Sequence, residues 1–261
     1  RIRMEKIRED LARLFDEMLT QVGGFRKKTY NGVFEKGFRQ FCNVPEEIGS
    51  LCEETPEEER QALILELAGI IPEYAAGLMG EQPRRARERL SVDYNMNMAV
   101  YVMPILTYTK DDFCIQMCRQ MVEIWNDRRV TSLTLSYATY DDISAGFKKK
   151  WCYITTAVCE NRGLPDDCYE LETLRGYRDG YLMRSKEGRA LVDEYYDLAP
   201  VIVRAINMRK DRAEIYEDIY KSCLTPCIRC IEEGDQERCK DLYTGMVTDL
   251  KTKYLGYQEG I

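Results

Sequence analysis

The sequence predicts an all-α, multi-helix globular protein with irregular helical packing and at most a minor extended segment near residues 130–138. Three observations predict it. Apolar residues recur at three- and four-residue spacing along most of the 261 residues, the period of a helix that buries one face. Apolar residues make up 44% and charged residues 32%, the balance of a chain that can bury a core. The one short alternating run has no second run to pair with.

Met4, Ile7, Leu11, Leu14, Phe15, Met18 and Leu19 form the stripe of a first helix that Gly23-Gly24 ends. Over residues 29–53, Tyr30-Asn31-Gly32-Val33 has a hairpin-like composition, yet Phe34, Phe38 and Phe41 keep helical spacing, which favours helix. Thr55-Pro56-Glu57-Glu58 reads as an N-cap, a first-turn proline and a following carboxylate. Leu63, Ile64, Leu67, Ile70, Ile71, Tyr74 and Leu78 then supply a stripe in which Pro72 predicts a kink. Residues 96–106 are apolar nearly all round and predict a central helix, bent or ended by Pro104. Residues 111–126 continue as helix with Phe113, Met117, Met121, Ile124 and Trp125 inward. Leu133, Leu135 and Tyr137 alternate without a partner strand and predict an extended connector. Helices follow over roughly 168–183, 186–207, 209–221 and 236–255, and no internal repeat is visible. The expected division is an N-terminal helical region, 1–148, and a C-terminal one, 149–261, sharing a core.

The net charge of −7 argues against nucleic-acid or anionic-membrane binding, which needs a field of Lys and Arg; Lys148, Lys149 and Lys150 are the densest basic patch. No run reads as a membrane span or a signal peptide, so the chain is expected in the cytoplasm. Its eleven cysteines then read as thiols in a reducing compartment, mostly small buried hydrophobes. The absence of histidine removes Ser-His and Cys-His dyads and His-containing zinc sites.

The most unusual stretch is Trp151-Cys152-Tyr153-Ile154-Thr155-Thr156-Ala157-Val158-Cys159, followed by Asp167-Cys168-Tyr169-Glu170, where Asp167 and Glu170 have capping-box spacing. Downstream lie Leu174-Arg175-Gly176-Tyr177-Arg178-Asp179, Gly188-Arg189-Ala190-Leu191 and Tyr195-Tyr196 with Pro200. These four ordered blocks resemble the CFI-box domain of bacteria and archaea, over about residues 151–206. The chain departs from that pattern at Tyr153, Thr155 and Cys159. The whole chain also looks like a family of proteins from anaerobic Firmicutes without an assigned activity, so the resemblance locates a site without naming a reaction.

Cys152 is the candidate catalytic thiol, placed near a helix start and after three lysines, both of which lower a thiol pKa. Cys159 and Cys168 are candidate resolving thiols. Three thiols leave a structural zinc site one ligand short. Arg175 and Asp179 are spaced for an i,i+4 ion pair, whereas Arg178 and Arg189 could converge on an anion. Cys223, Cys227 and Cys230 match the cluster spacing of radical enzymes dependent on S-adenosylmethionine, but at i, i+4 and i+7 they equally form one helical stripe, as do Cys114 and Cys118.

The leading expectation is a non-enzymatic helical protein that binds a protein partner or small ligand near Cys152, through Thr155, Thr156, Cys159, Cys168, Arg175, Arg178, Asp179, Arg189, Tyr195 and Tyr196. No metal and no cofactor is expected. The rivals are a thiol enzyme or redox sensor using Cys152, and a Cys-ligated metalloprotein.

Overall fold

In the computed structural model, which describes residues 2–148 and 153–255, every regular element is helical and no strand occurs among the described residues. The chain divides into two compact units, one of residues 1–25 and 29–146, the other of 26–28 and 147–261.

The first unit comprises α1 (Ile2–Leu19), α2 (Lys27–Phe41), α3 (Asn43–Glu54), α4 (Glu57–Gly80), α5 (Arg84–Asn97), α6 (Met103–Thr107), α7 (Asp112–Asp127) and the start of α8 (Tyr140–Lys148). The stripe of α1 is buried at Ile7, Leu11, Leu14, Phe15 and Met18, and α4 packs on α1 and α7. Residues 29–53 are two helices. Thr55 does not cap α4. Its hydroxyl donates to the Leu51 carbonyl at the end of α3, and Pro56 takes the cap position. Pro72 lies inside α4, which continues as helix through it. By length and composition α4 could cross a membrane, contrary to the sequence expectation, because Glu66 and Glu73 interrupt its apolar run without lowering the average enough. Nearly half of that run, 44%, is buried.

The expected helix over 96–106 is broken by a π-turn, Met98–Val102, between α5 and α6. Pro104 has no N–H for the carbonyl four residues back, Val100. The buried Tyr30 hydroxyl donates to that carbonyl instead, at 2.9 Å. Tyr30→Phe is therefore expected to cost about 1–3 kcal/mol in urea denaturation, the penalty of an orphaned buried acceptor. The inward face of α7 is Cys114, Met117, Cys118, Met121 and Trp125, rotated from the predicted stripe so that Phe113 and Ile124 are only half-buried. After α7 the connector is irregular. It needs no partner strand, because the Asn126 side-chain amide donates to the Leu135 carbonyl and accepts from the Leu135 N–H, both at 2.9 Å.

The second unit comprises α9 (Tyr153–Asn161), α10 (Tyr169–Gly180), the 3-10 turn Leu182–Arg184, α11 (Lys186–Asn207), α12 (Arg212–Ile219), a π-turn Tyr220–Leu224, α13 (Thr225–Glu232) and α14 (Gln236–Leu255). Ser185 caps α11 by accepting from the Gly188 N–H at 2.9 Å. The helix expected over 209–221 is shorter as α-helix because the π-turn takes over at Tyr220. Here α11 packs on α14 and α9, and α13 packs on α14.

Candidate pocket in the second unit

Side chains from three helices of the second unit surround an apolar pocket. Helix α10 supplies Leu174, Tyr177 and Arg178, and the 3-10 turn supplies Leu182. Helix α11 adds Leu191, Val192 and Tyr195, and α14 adds Tyr243. The pocket is shallow: most of its about 410 Å³ of non-atom space is open mouth, and the enclosed part is near the size of one water molecule. Its apolar lining follows from α-helical spacing: Leu174, Tyr177 and Arg178 lie three and four apart on α10, as do Leu191, Val192 and Tyr195 on α11.

Two tyrosine hydroxyls help tie the pocket wall to its surroundings. The Tyr195 hydroxyl accepts from the Ile154 N–H at 3.0 Å, which satisfies one of the free donors in the first turn of α9. The Tyr177 hydroxyl donates to the Gln236 carbonyl at 2.7 Å. Burial, then the neighbouring Cys239, pushes the Tyr177 pKa up, so this hydroxyl stays protonated as a donor. Tyr195 and Tyr243 pack with ring centroids 5.3 Å apart.

Arg178 stands at the polar side. It donates to both oxygens of Asp179, at 2.7 and 2.9 Å, and to the Tyr196 hydroxyl at 2.6 Å. The same guanidinium holds the Asp179 carboxyl below the usual range. The i,i+4 pair expected between Arg175 and Asp179 does not form. Arg175 turns the other way and is 8% exposed, donating to the Asp166 carbonyl at 2.6 Å, the Asp166 carboxylate at 2.7 Å and Glu172 at 3.2 Å. Its role is to close the loop before α10. Arg175→Met is expected to cost about 1.5–3 kcal/mol by urea denaturation, the range for hydrogen bonds to charged groups. Arg189 is exposed and donates to the Met183 carbonyl at 3.0 Å; it joins no shared anion site with Arg178 in this arrangement.

The Asp167–Glu170 capping box does not form either, since Cys168 holds the cap position without a side-chain bond. Glu170 instead accepts from the Tyr220 hydroxyl at 3.0 Å. Cys152, Lys149, Lys150 and the side chain of Lys148 lie outside the described residues. Thr155 is fully buried, and the buried Thr156 hydroxyl has no partner among the described residues.

Cys159 and Cys168 come together. Burial, then the facing Cys168 thiol, pushes the Cys159 pKa up to about 12. The sign is unfavourable for a nucleophile, because a raised pKa withholds the thiolate until the pH nears that value. Against an ordinary thiol near 8.5, this leaves on the order of 10³-fold less thiolate at neutral pH. Iodoacetamide at pH 8 is expected to label the half-buried Cys42 and Cys223 well before Cys159, as read by mass spectrometry of quenched aliquots. Equal rates would contradict the burial argument. Cys227 and Cys239 form a second thiol contact, which with burial raises the Cys227 pKa. Among the described residues no group of three or more Cys, Asp or Glu side chains is placed to hold a metal ion.

The pocket residues Leu174, Tyr177, Leu182, Leu191, Val192 and Tyr243 are not among the sequence candidates. Their signal, helical spacing of large apolar residues, is the same one that marks any core. No family model, curated protein or solved structure matches the chain.

Proposed function

We propose that the protein is a non-enzymatic cytoplasmic binding protein whose second unit takes a small ligand with an apolar body and an anionic group at the α10–α11–α14 pocket. The observation that carries this reading is an apolar concavity with a single guanidinium, Arg178, at its polar side, the general make-up of a small-molecule site. Asp179, the partner of Arg178, has a 63% exposed side chain, so a ligand carboxylate or sulfonate displaces it at little desolvation cost. Tyr195 links the pocket to the segment that follows Cys152, so occupancy bears on the part of the chain resembling the CFI box, and we place the protein with that domain. The test is titration with 8-anilinonaphthalene-1-sulfonate, an aromatic sulfonate that brightens in apolar sites. Saturable binding is expected, weakened at least about ten-fold, or about 1.4 kcal/mol, by Leu191→Trp, which fills the mouth from α11. Unchanged affinity in that variant would remove the pocket as the site.

A thiol-based redox sensor is the second reading, favoured by the Cys159–Cys168 contact. Its test is mild oxidation with diamide. A Cys159–Cys168 disulfide, detected by peptide mapping and absent from Cys168→Ser, supports it; a fully reduced pair after oxidation of the exposed thiols opposes it.

A further inference from the structure

The two units share an order of helix packings. In the first, α1 packs on α3, α4, α5 and the π-turn 98–102; in the second, α9 packs on α10, α11, α12 and the π-turn 220–224. Several further pairs match in order: α4 with α7 as α11 with α14, α6 with α7 as α13 with α14, and α3 with α6 as α10 with α13, whereas the packing of α3 on α4 and α7 and of α14 on the π-turn 220–224 has no counterpart of similar extent. Helix packing alone can converge on such a pattern, so the local irregularities decide. Each long helix carries an internal proline, Pro72 in α4 and Pro200 in α11. Each following helix passes through a five-residue π-turn, a rare element, and resumes with proline as its second residue, Pro104 or Pro226. Each last helix is preceded by a positive-φ residue, Lys110 or Gly234. The next residue, Asp111 or Asp235, then accepts from the backbone N–H three residues on, at 2.9 and 3.2 Å.

The differences between the units are equally ordered. Helix α2 has no counterpart between α9 and α10. Thr55-Pro56 alone joins α3 to α4, and α3 packs on both α4 and α7. In the second unit the matching linker is Tyr181–Ser185, and its 3-10 turn packs on both α10 and α11. Leu182 of that turn lines the pocket, which lies among α10, α11 and α14, the counterparts of α3, α4 and α7.

We infer that the chain is a tandem duplication of one helical unit, and that the longer α10–α11 linker in the second copy opened a pocket at the place where, in the first, α3 packs directly on α4 and α7. The pocket half of this inference rests on the binding reading above; the duplication half does not. Two measurements on the full chain test them separately. In an experimental structure, the first-unit helices α1 and α3–α7 should superpose on α9–α14 in the same chain order and hand. Matched axes should fall within about half the ~8–10 Å that separates packed helices. An opposite hand, or any matched helix displaced by a full spacing, overturns the duplication, whatever the chain binds.

The second measurement replaces Tyr181–Ser185 by Thr-Pro, after the first unit. It is paired with Leu182→Ala, which keeps the linker and enlarges the pocket. Binding of 8-anilinonaphthalene-1-sulfonate should fall at least about ten-fold in the first variant, and in the second it should persist with a changed affinity and emission, because Leu182 lines the pocket. If wild type binds and the shortened chain, helical by circular dichroism, binds as well, the linker did not open the pocket. If the shortened chain does not fold, Leu182→Ala decides alone: unaltered dye emission and affinity show that the linker does not shape the site. If wild type itself binds no dye, the binding reading fails and the pocket half falls with it, while the superposition still judges the duplication.

Discussion

Gly188→Ala is expected to lower stability by about 3 kcal/mol, the upper part of the range for forcing atoms into packed space, and to distort the pocket. An added Cβ would lie 2.0 Å from the Leu182 carbonyl oxygen and within 2.9 Å of its carbonyl carbon and Cα. All three are backbone atoms, so no rotamer change relieves the overlap. Nor can the 3-10 turn swing away freely. Ser185 is bonded to the Gly188 N–H, and Arg189 donates to the Met183 carbonyl. In thermal unfolding the midpoint should fall by roughly 10 °C for a unit of this size. Gly176→Ala is the control, since a Cβ there meets nothing within 4 Å and alanine favours helix; it should leave the midpoint unchanged or raise it. A Gly188→Ala protein as stable as Gly176→Ala would show that the turn is not held where we describe it.

The second large effect lies in the first unit. Trp125→Ala should cost about 3–5 kcal/mol in urea denaturation followed by far-ultraviolet circular dichroism, the range for removing a buried aromatic side chain. Trp125 is fully buried, and its ring lies 6.4 Å from that of Phe15. Its indole N–H donates at 3.0 Å to the Asn95 side-chain oxygen, which also accepts from Thr131 at 2.8 Å. Truncation therefore removes both the ring and one of two donors to a buried oxygen. Trp125→Phe separates the two contributions by restoring a ring without the donor, and should lie between wild type and Trp125→Ala. A loss below about 1 kcal/mol for Trp125→Ala would be that of a surface position, at odds with a core built around this residue.

Much of the fold was legible because helical periodicity is a local property. Met4 to Leu19, Leu63 to Leu78 and Cys239 to Tyr254 each announce a buried face within a few turns of chain, and α1, α4 and α14 bury most of those faces, although Leu63, Tyr74 and Leu78 are only half-buried and Ala68, Ala75 and Met79 of α4 take their place inside. Boundaries were less legible wherever a backbone group found a partner far along the chain. The π-turn at Met98–Val102 and its tie to Tyr30 join residues 70 apart, and nothing around Pro104 indicates that a tyrosine of α2 serves Val100.

The candidate site divides in the same way. The blocks around Thr156, Arg178, Gly188 and Tyr195 stood out in the sequence, but their partners did not. Arg175 has carboxylates at several spacings, and only the loop before α10 brings Asp166 rather than Asp179 to it. Gly188 reads as part of a helix start until the Leu182 carbonyl is seen against it.

What the sequence determined by itself is the helical class, the position of most helices and the bias of the cysteines toward burial, because each depends on residues within one or two turns. The tertiary structure alone decided the Cys159–Cys168 contact, the partners of both arginines, the pocket and the order of helix packings that the two units share. Those depend on which faces meet, and many different side chains satisfy one packing arrangement, so two copies can keep their architecture after their sequences have ceased to look alike.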